Sequence, residues 1–257
     1  MTNCQRIYEL RKLPSYLIKL VTVLCLILTL TLNLIGKEKK AGPEWWSLQP
    51  IKQITPPKLE DRGLALNSID AFVQEKLIEN NLTPSKPASP RTQIRRLYFD
   101  LIGLPPTPEK IAEFEKNPSD IAYKEIVDAL LKSKHYGERW GRHWLDIARF
   151  GESDGFERNN PRNNLWPFRD WVIKALNDDM PYDEFVRMQI AGDILKPGKD
   201  GTAAVAFLAA GLHNTVVGGS EFMKKTARQD ELEEIAGTVG QTFFGLTVNC
   251  ARCHDHK

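Results

Sequence analysis

Proline and polar punctuation divides this chain into stretches whose apolar residues recur every three or four positions, and that rhythm restricts it to packed helices. The clearest stretch is SPRTQIRRLYFDLIGLPP. Ser89 supplies an N-cap oxygen, and Pro90 at the first turn has no N–H to lose. Ile94, Leu97, Tyr98 and Leu101 then fall on one face, and Gly103 before two prolines stops the helix. Thr107-Pro108-Glu109 repeats the start signal for a short helix carrying Ile111 and Phe114. Asn67 and Ser68 can cap a stripe of Ile69, Phe72, Val73 and Leu77, and Tyr123, Ile126, Val127, Leu130 and Leu131 make another. WGRHWLDIARF is expected to bury Trp140, Trp144, Ile147 and, with them, His143. A polar stretch, GESDGFERNNPRNN, interrupts before helices resume in LWPFRDWVIKAL, PYDEFVRMQIAGDIL and AAVAFLAAGL, with a last long segment from Glu221 to about Phe244. Alternating strand patterns are scarce and internal repeats are absent. The expected fold is mainly α, an irregular multi-helix domain over residues 67–257.

The first 66 residues follow other rules. Arg6, Arg11, Lys12 and Lys19 precede VTVLCLILTLTLNLIG, an uncharged apolar run at Val21–Gly36. A basic segment followed by an apolar one is the order of an export signal. Sixteen helical residues span roughly 24 Å, short of the ~30 Å hydrocarbon core, and no small-residue cleavage site follows. Residues 1–36 are therefore expected to be an uncleaved export signal or membrane anchor, touching the membrane through residues 20–36. This places the chain in the cell envelope, anchored in the inner membrane facing the periplasm or secreted to it. Residues 37–66 read as a tether, because Pro43, Pro50, Pro56 and Pro57 favour extended chain. Trp45 and Trp46 within it are expected to pin it as buried aromatics. Without residues 1–36 the chain keeps 31 basic and 32 acidic side chains and no basic cluster, which argues against a nucleic-acid partner.

The same removal leaves Cys250 and Cys253 as the only cysteines, too few for a disulfide-stapled scaffold. They sit in CARCHDHK, a C-x-x-C-H pattern with His254 directly behind. In an exported protein this pattern suits haem c: both thiols add to porphyrin vinyl groups, and His254 binds the iron from the proximal side. Zinc held by Cys250, Cys253, His254 and His256 is an alternative, though structural zinc sites usually draw on two separated knuckles. A plain Cys250–Cys253 disulfide is another. Gly237, Gly240 and Gly245 thin the side chains before the motif, where Phe243, Phe244 and Leu246 can contact a porphyrin or simply pack. For a distal ligand, His213 in GLHNT is the first upstream candidate. The polar residues from His143 and Asp146 through Glu152 and Asp154 to Asp170 can serve acid–base chemistry or form a salt-bridged loop. No hydrolase, zincin, nucleotide-binding or dinucleotide fingerprint is present, so no catalytic residue is assigned.

The segments NSIDAFVQEKL, RRLYFDLIGLPPTPEKIAEF, HYGERWGRHWLDIARFGESDGFE, FRDWVIKALNDDMPYDEFVRMQIAGDIL and GQTFFGLTVNCARCHDHK together resemble the planctomycetal cytochrome-c-associated domain two, a domain of unknown function. The resemblance runs from about Trp45 to Lys257. It implies a large exported protein, helical in this part, in which C-x-x-C-H maps onto Cys250, Cys253 and His254. It also implies a separate cytochrome domain upstream and a continuation beginning Phe-Asp-Pro, so the chain reads as a truncated member. The expectation is an exported, membrane-tethered c-type haem protein of electron transfer or haem-dependent redox chemistry, with an unidentified redox partner. The alternatives are a haem-free helical binding module, for instance for polysaccharide, or a hydrolase using residues 143–154.

Overall fold

The computed structural model describes residues 43–58, 67–214 and 217–253; the expected export segment 1–36, residues 37–42 and 59–66 of the tether, and His254 lie outside them. Among the described residues there are nine α-helices and no strand, only an isolated bridge between Ser153 and Pro161. None of these helices is long and apolar enough to cross a membrane. The chain divides into two units, Met1–Pro56 with Lys257, and Pro57–His256. In the first, a 3-10 turn at Trp46–Leu48 leaves both tryptophans exposed, Trp46 at 79%, against the expected burial.

In the second unit the capping chemistry behaves as the sequence predicts. Helix α1 (Ser68–Glu79) opens with a capping box: Asn67 Oδ1 accepts from the N–H groups of Ile69 and Asp70, and Asp70 Oδ2 accepts from Asn67 N–H. Its apolar stripe is not buried, however. Ile69, Phe72 and Val73 are exposed and only Ala71 is enclosed. Local caps suffice to start a helix, whereas burial needs a facing surface. Helix α2 (Pro90–Leu101) begins at Ser89, whose Oγ accepts from Thr92 N–H, and buries Ile94 and Leu97. It packs against α3 (Pro108–Lys116), which buries Phe114, and α4 (Asp120–Leu131), which buries Leu130. Arg91 ties α2 to α3 through a two-pronged pair with Glu115 at 2.9 and 2.8 Å.

Helix α5 (Lys134–Ile147) turns a different face inward from the one its tryptophans suggest. Its buried residues are Gly137, Gly141 and Leu145, while Trp140, His143 and Ile147 are exposed. The glycines let α6 (Trp166–Asn177) approach closely: a Cβ at Gly137 would strike the Ile173 carbonyl, and Gly137 N–H donates to Asn177 Oδ1 at 2.8 Å. Beneath this contact lies the core. Phe168, Trp171 and Val172 of α6 meet Phe185 and Met188 of α7 (Tyr182–Leu195), together with Ala204 of α8 (Lys199–Val205) and Phe207 of the following 3-10 turn. Gln189 is fully buried among them, accepting from Trp144 Nε1 at 2.6 Å and donating to Phe185 O at 3.1 Å, so this buried amide is satisfied.

Helix α9 (Glu221–Phe244) starts at the N-cap Ser220 and ends at Gly245, whose φ of +66° is the left-handed stop that glycine allows. Its C-terminal half joins the core through Phe243, with ring centroids 5.2 Å from Phe207 and 6.1 Å from Trp144.

Candidate functional site

After Gly245 the chain folds back on α9. Leu246 N–H donates to Gly240 O at 3.1 Å, and residues Val248–Arg252 form a 3-10 turn. The turn is seated on two glycines. A Cβ at Gly237 would collide with the Asn249 side chain, and one at Gly240 with Val248. Arg252, inside the motif itself, clamps the far edge: its Nη1 donates to Asp230 Oδ1 at 2.7 Å and lies 2.8 Å from Glu233 Oε2. The Asp230 hydrogen bond, with the nearby charge of Glu233, raises the Arg252 pKa above its ordinary value. Asp230, Glu233, Gly237 and Gly240 follow i, i+3, i+7, i+10 spacing, so one stripe of α9 carries both the anionic clamp and the glycine seat.

This seating leaves both thiols outside. Cys250 and Cys253 are exposed and free, with Cys253 N–H donating to Cys250 O at 3.3 Å. Just before them in sequence, Phe244, 71% exposed, Leu246 and Val248 leave apolar surface open. Phe243 does not, since it packs into the core. The glycines thus serve packing and a helix stop rather than clearing space. Among the described residues no group of three or more His, Cys, Asp or Glu is arranged to hold a metal ion. His254 and His256, the remaining zinc-ligand candidates, lie outside those residues.

His213 sits on another flank of the same helix. Its Nδ1 is 2.6 Å from Glu231 Oε1, and Glu231 stands roughly a third of a turn away from the stripe that holds Arg252. The main chain of His213 is fixed as well, its N–H donating to Asp154 O at 3.0 Å. The polar loop around residues 151–164 is a stapled structure. Arg162 Nε donates to Asp154 Oδ1 at 2.6 Å, and its Nη1 donates to the carbonyls of Gly211 at 2.7 Å and Ala209 at 3.1 Å. Arg169 holds Glu152 and Asp170 at 3.0 Å each. Asp154 and Glu152, put forward for acid–base work, are therefore committed to arginines. His143 lies at the edge of Trp140, ring centroids 5.5 Å apart, on an exposed face. A separate open groove of about 1000 Å³ runs between α6 and α8, walled by Trp166, Trp171 and Ala203.

Comparison with known proteins resolves the ancestry of this arrangement. The sequence profile of PSCyt2, described as a protein of unknown function (DUF1549), matches residues 68–257, from the first turn of α1 through the C-x-x-C-H motif. The chain belongs to the PSCyt2 family. That extent covers every α-helix described above and the glycine-seated turn, so the clamp and seat lie within the PSCyt2 domain rather than in an appended tail. No curated protein and no solved structure matches the chain.

Sequence reasoning reached the thiols of this PSCyt2 chain but missed Arg252, Asn249 and Glu231. For Asn249 a signal was present: the small residues Gly237 and Gly240, three apart on α9, face the residues just before the first cysteine. Glu231 carried none, because its partner comes from outside its own helix.

Proposed function

We propose that this PSCyt2 chain is an exported, membrane-tethered c-type haem-binding protein. The observation carrying this reading is the pair of free, exposed thiols on a turn seated from behind on Gly237 and Gly240, with Phe244 and Leu246 exposed just before it in sequence. Thioether formation needs two accessible thiols at C-x-x-C spacing, and a porphyrin needs apolar surface beside them; both requirements suit the residues present. Cys250 and Cys253 would hold the group, and His254 would supply the proximal nitrogen. Haem bound there supplies one-electron redox chemistry. The chain's own contribution is positional. Arg252, Asn249 and Val248 fix the turn to α9, and the exposed Phe244 and Leu246 would offer the bound group apolar surface, a lever on reduction potential. The reading commits only the proximal side; His213 is engaged by Glu231 on another flank. Residues 1–36 would provide export and the tether to the inner membrane.

The test is haem staining of a denaturing gel after co-expression with a cytochrome c maturation system. Wild-type chain should retain covalent haem, and the Cys250→Ser/Cys253→Ser double variant should not. A haem-free wild-type protein with the two cysteines joined as a disulfide would overturn the proposal. One observation favours a second reading, a haem-free binding module: the open groove between α6 and α8 with Trp166 on its wall. Glycan-array binding lost in Trp166→Ala would support it.

A further inference from the structure

Two histidines in the described chain meet a carboxylate through Nδ1 at the same distance, 2.6 Å: His135 with Glu138, and His213 with Glu231. Their settings differ in the carboxylate and its surroundings, since the His213 side chain is itself 53% exposed and that of His135 38%. His135 and Glu138 are neighbours on an open helix face, and Glu138 is half exposed. Glu231 is 17% exposed and is gripped a second time, its Oε2 accepting from Arg228 Nη1 at 3.0 Å. Its partner His213 is held at the main chain by Asp154, which Arg162 holds in turn. His213 borders a cavity of about 290 Å³ whose apolar wall is Leu208, Leu212 and Ile235.

We propose that His213 and Glu231 form a proton-transfer dyad that hydrolyses small carboxylic esters in this cavity, independently of any haem. Glu231 is a positioning residue. Accepting from Nδ1–H, it fixes the tautomer in which Nε2 carries the lone pair, and Nε2 has no partner among the described residues. His213 is the catalytic residue, acting as general base. Arg228 lines the same cavity, spends Nη1 on Glu231 and keeps Nε and Nη2 without a partner among the described residues.

The ligand class follows from what lines the site. None of the described lining residues is Ser, Thr or Cys, so water is the nucleophile. The carboxylates do not suit a glycosidase pair, because Glu231 is bound to His213 and Arg228 while Glu234 is paired with Arg149. The ionic groups cancel: Arg162, Arg228 and Arg149 against Asp154, Glu231 and Glu234. That balance favours an uncharged substrate. A volume at the lower end for ligand pockets, with one apolar wall, suits a short acyl group.

In the reaction, Nε2 takes one proton from water as the water oxygen bonds to the carbonyl carbon. The carbonyl π pair moves onto its oxygen, facing the Arg228 guanidinium. Collapse breaks the bond to the leaving alkoxide, which receives the proton back from Nε2. One ester and one water give one carboxylic acid and one alcohol, and His213 ends as it began.

The experiment uses the full chain and a series of p-nitrophenyl esters from acetyl to octanoyl. Acetyl and butyryl esters should turn over, and octanoyl should not. General-base catalysis is worth roughly 10²–10⁴-fold, so His213→Ala should lower kcat/KM at least a hundredfold, to near the background rate. Glu231→Gln should lower kcat at least tenfold with KM unchanged, and Glu231→Asp should recover part of it. His135→Ala should change nothing. Circular dichroism establishes that each variant retains its helices. Loss in His135→Ala equal to that in His213→Ala would reduce the activity to exposed imidazole and overturn the proposal. So would an unchanged kcat in Glu231→Gln, or wild-type hydrolysis no faster than background.

Discussion

Replacing Gln189 by Leu tests a buried polar link in the core. Gln189 fills its site, accepts the Trp144 indole N–H at 2.6 Å and donates to Phe185 O at 3.1 Å. Leucine has a similar volume, so little cavity forms, but the indole N–H loses its acceptor in surroundings that include the ring of Phe185, whose centroid lies 4.8 Å from that of Trp144. An unsatisfied buried donor costs about 1–3 kcal/mol, and better apolar burial offsets part of that. The expected net loss is about 1–2 kcal/mol, a fall in Tm of about 2–8 °C for a domain of this size. Trp144→Phe removes the donor instead and strands the Gln189 oxygen. The double variant removes both partners, so its loss should be smaller than the sum of the single losses by at least about 1 kcal/mol. Urea unfolding followed by circular dichroism measures all four proteins. Additivity within about 0.4 kcal/mol would refute the hydrogen bond as the source of the cost.

Three further outcomes follow from other contacts. Arg162→Gln should free the 151–164 loop: the Arg162 and Asp154 side chains are only 12% and 15% exposed, and losing the pair should cost about 2 kcal/mol after allowing for partial wetting. Limited proteolysis should then cut within that loop first; an unchanged cleavage pattern would count against the staple. Gly237→Ala should gain about 1 kcal/mol of helix propensity yet unseat Asn249, so melting should hold while the yield of covalent haem falls; an unchanged yield would refute the seat. The hydrogen bond from Arg91 holds the Glu115 carboxyl below its usual range. That stabilisation is present above the unfolded carboxylate value of about 4.3 and is lost as pH falls through the lower folded value. Arg91→Gln should raise the Glu115 titration midpoint seen by NMR, and an unmoved midpoint would dismiss the pair.

The helix starts were legible because caps are local chemistry: Asn67, Ser89 and Thr107 do what their side-chain oxygens suggest. Inward faces were less legible. On α5, counting apolar residues selects Trp140 and Ile147, yet the contact with α6 is made where side chains are smallest, at Gly137 and Gly141. Glycine scores as neither apolar nor periodic, so a hydrophobic count passes over the surface where two backbones meet. The mixed polar loop concealed a comparable ambiguity, since acid–base machinery and an arginine staple draw on the same residue types. Only the position of Arg162 against the carbonyls of Ala209 and Gly211 separates them. The motif's own cysteines were obvious; the clamp that presents them was not, because Asp230 and Arg252 are brought together by a chain reversal at Gly245.

That reversal makes α9 unequal in its tolerance of mutation. Around Phe222 and Met223 the helix is exposed, and exchanges there should be nearly free. At Gly237 and Gly240 any added carbon meets the returning turn. A library of random variants selected for soluble protein alone would accept changes along the first half and, by letting the turn swing away, some in the second. Selected for the covalent haem proposed above, the same library should retain glycine at both seats.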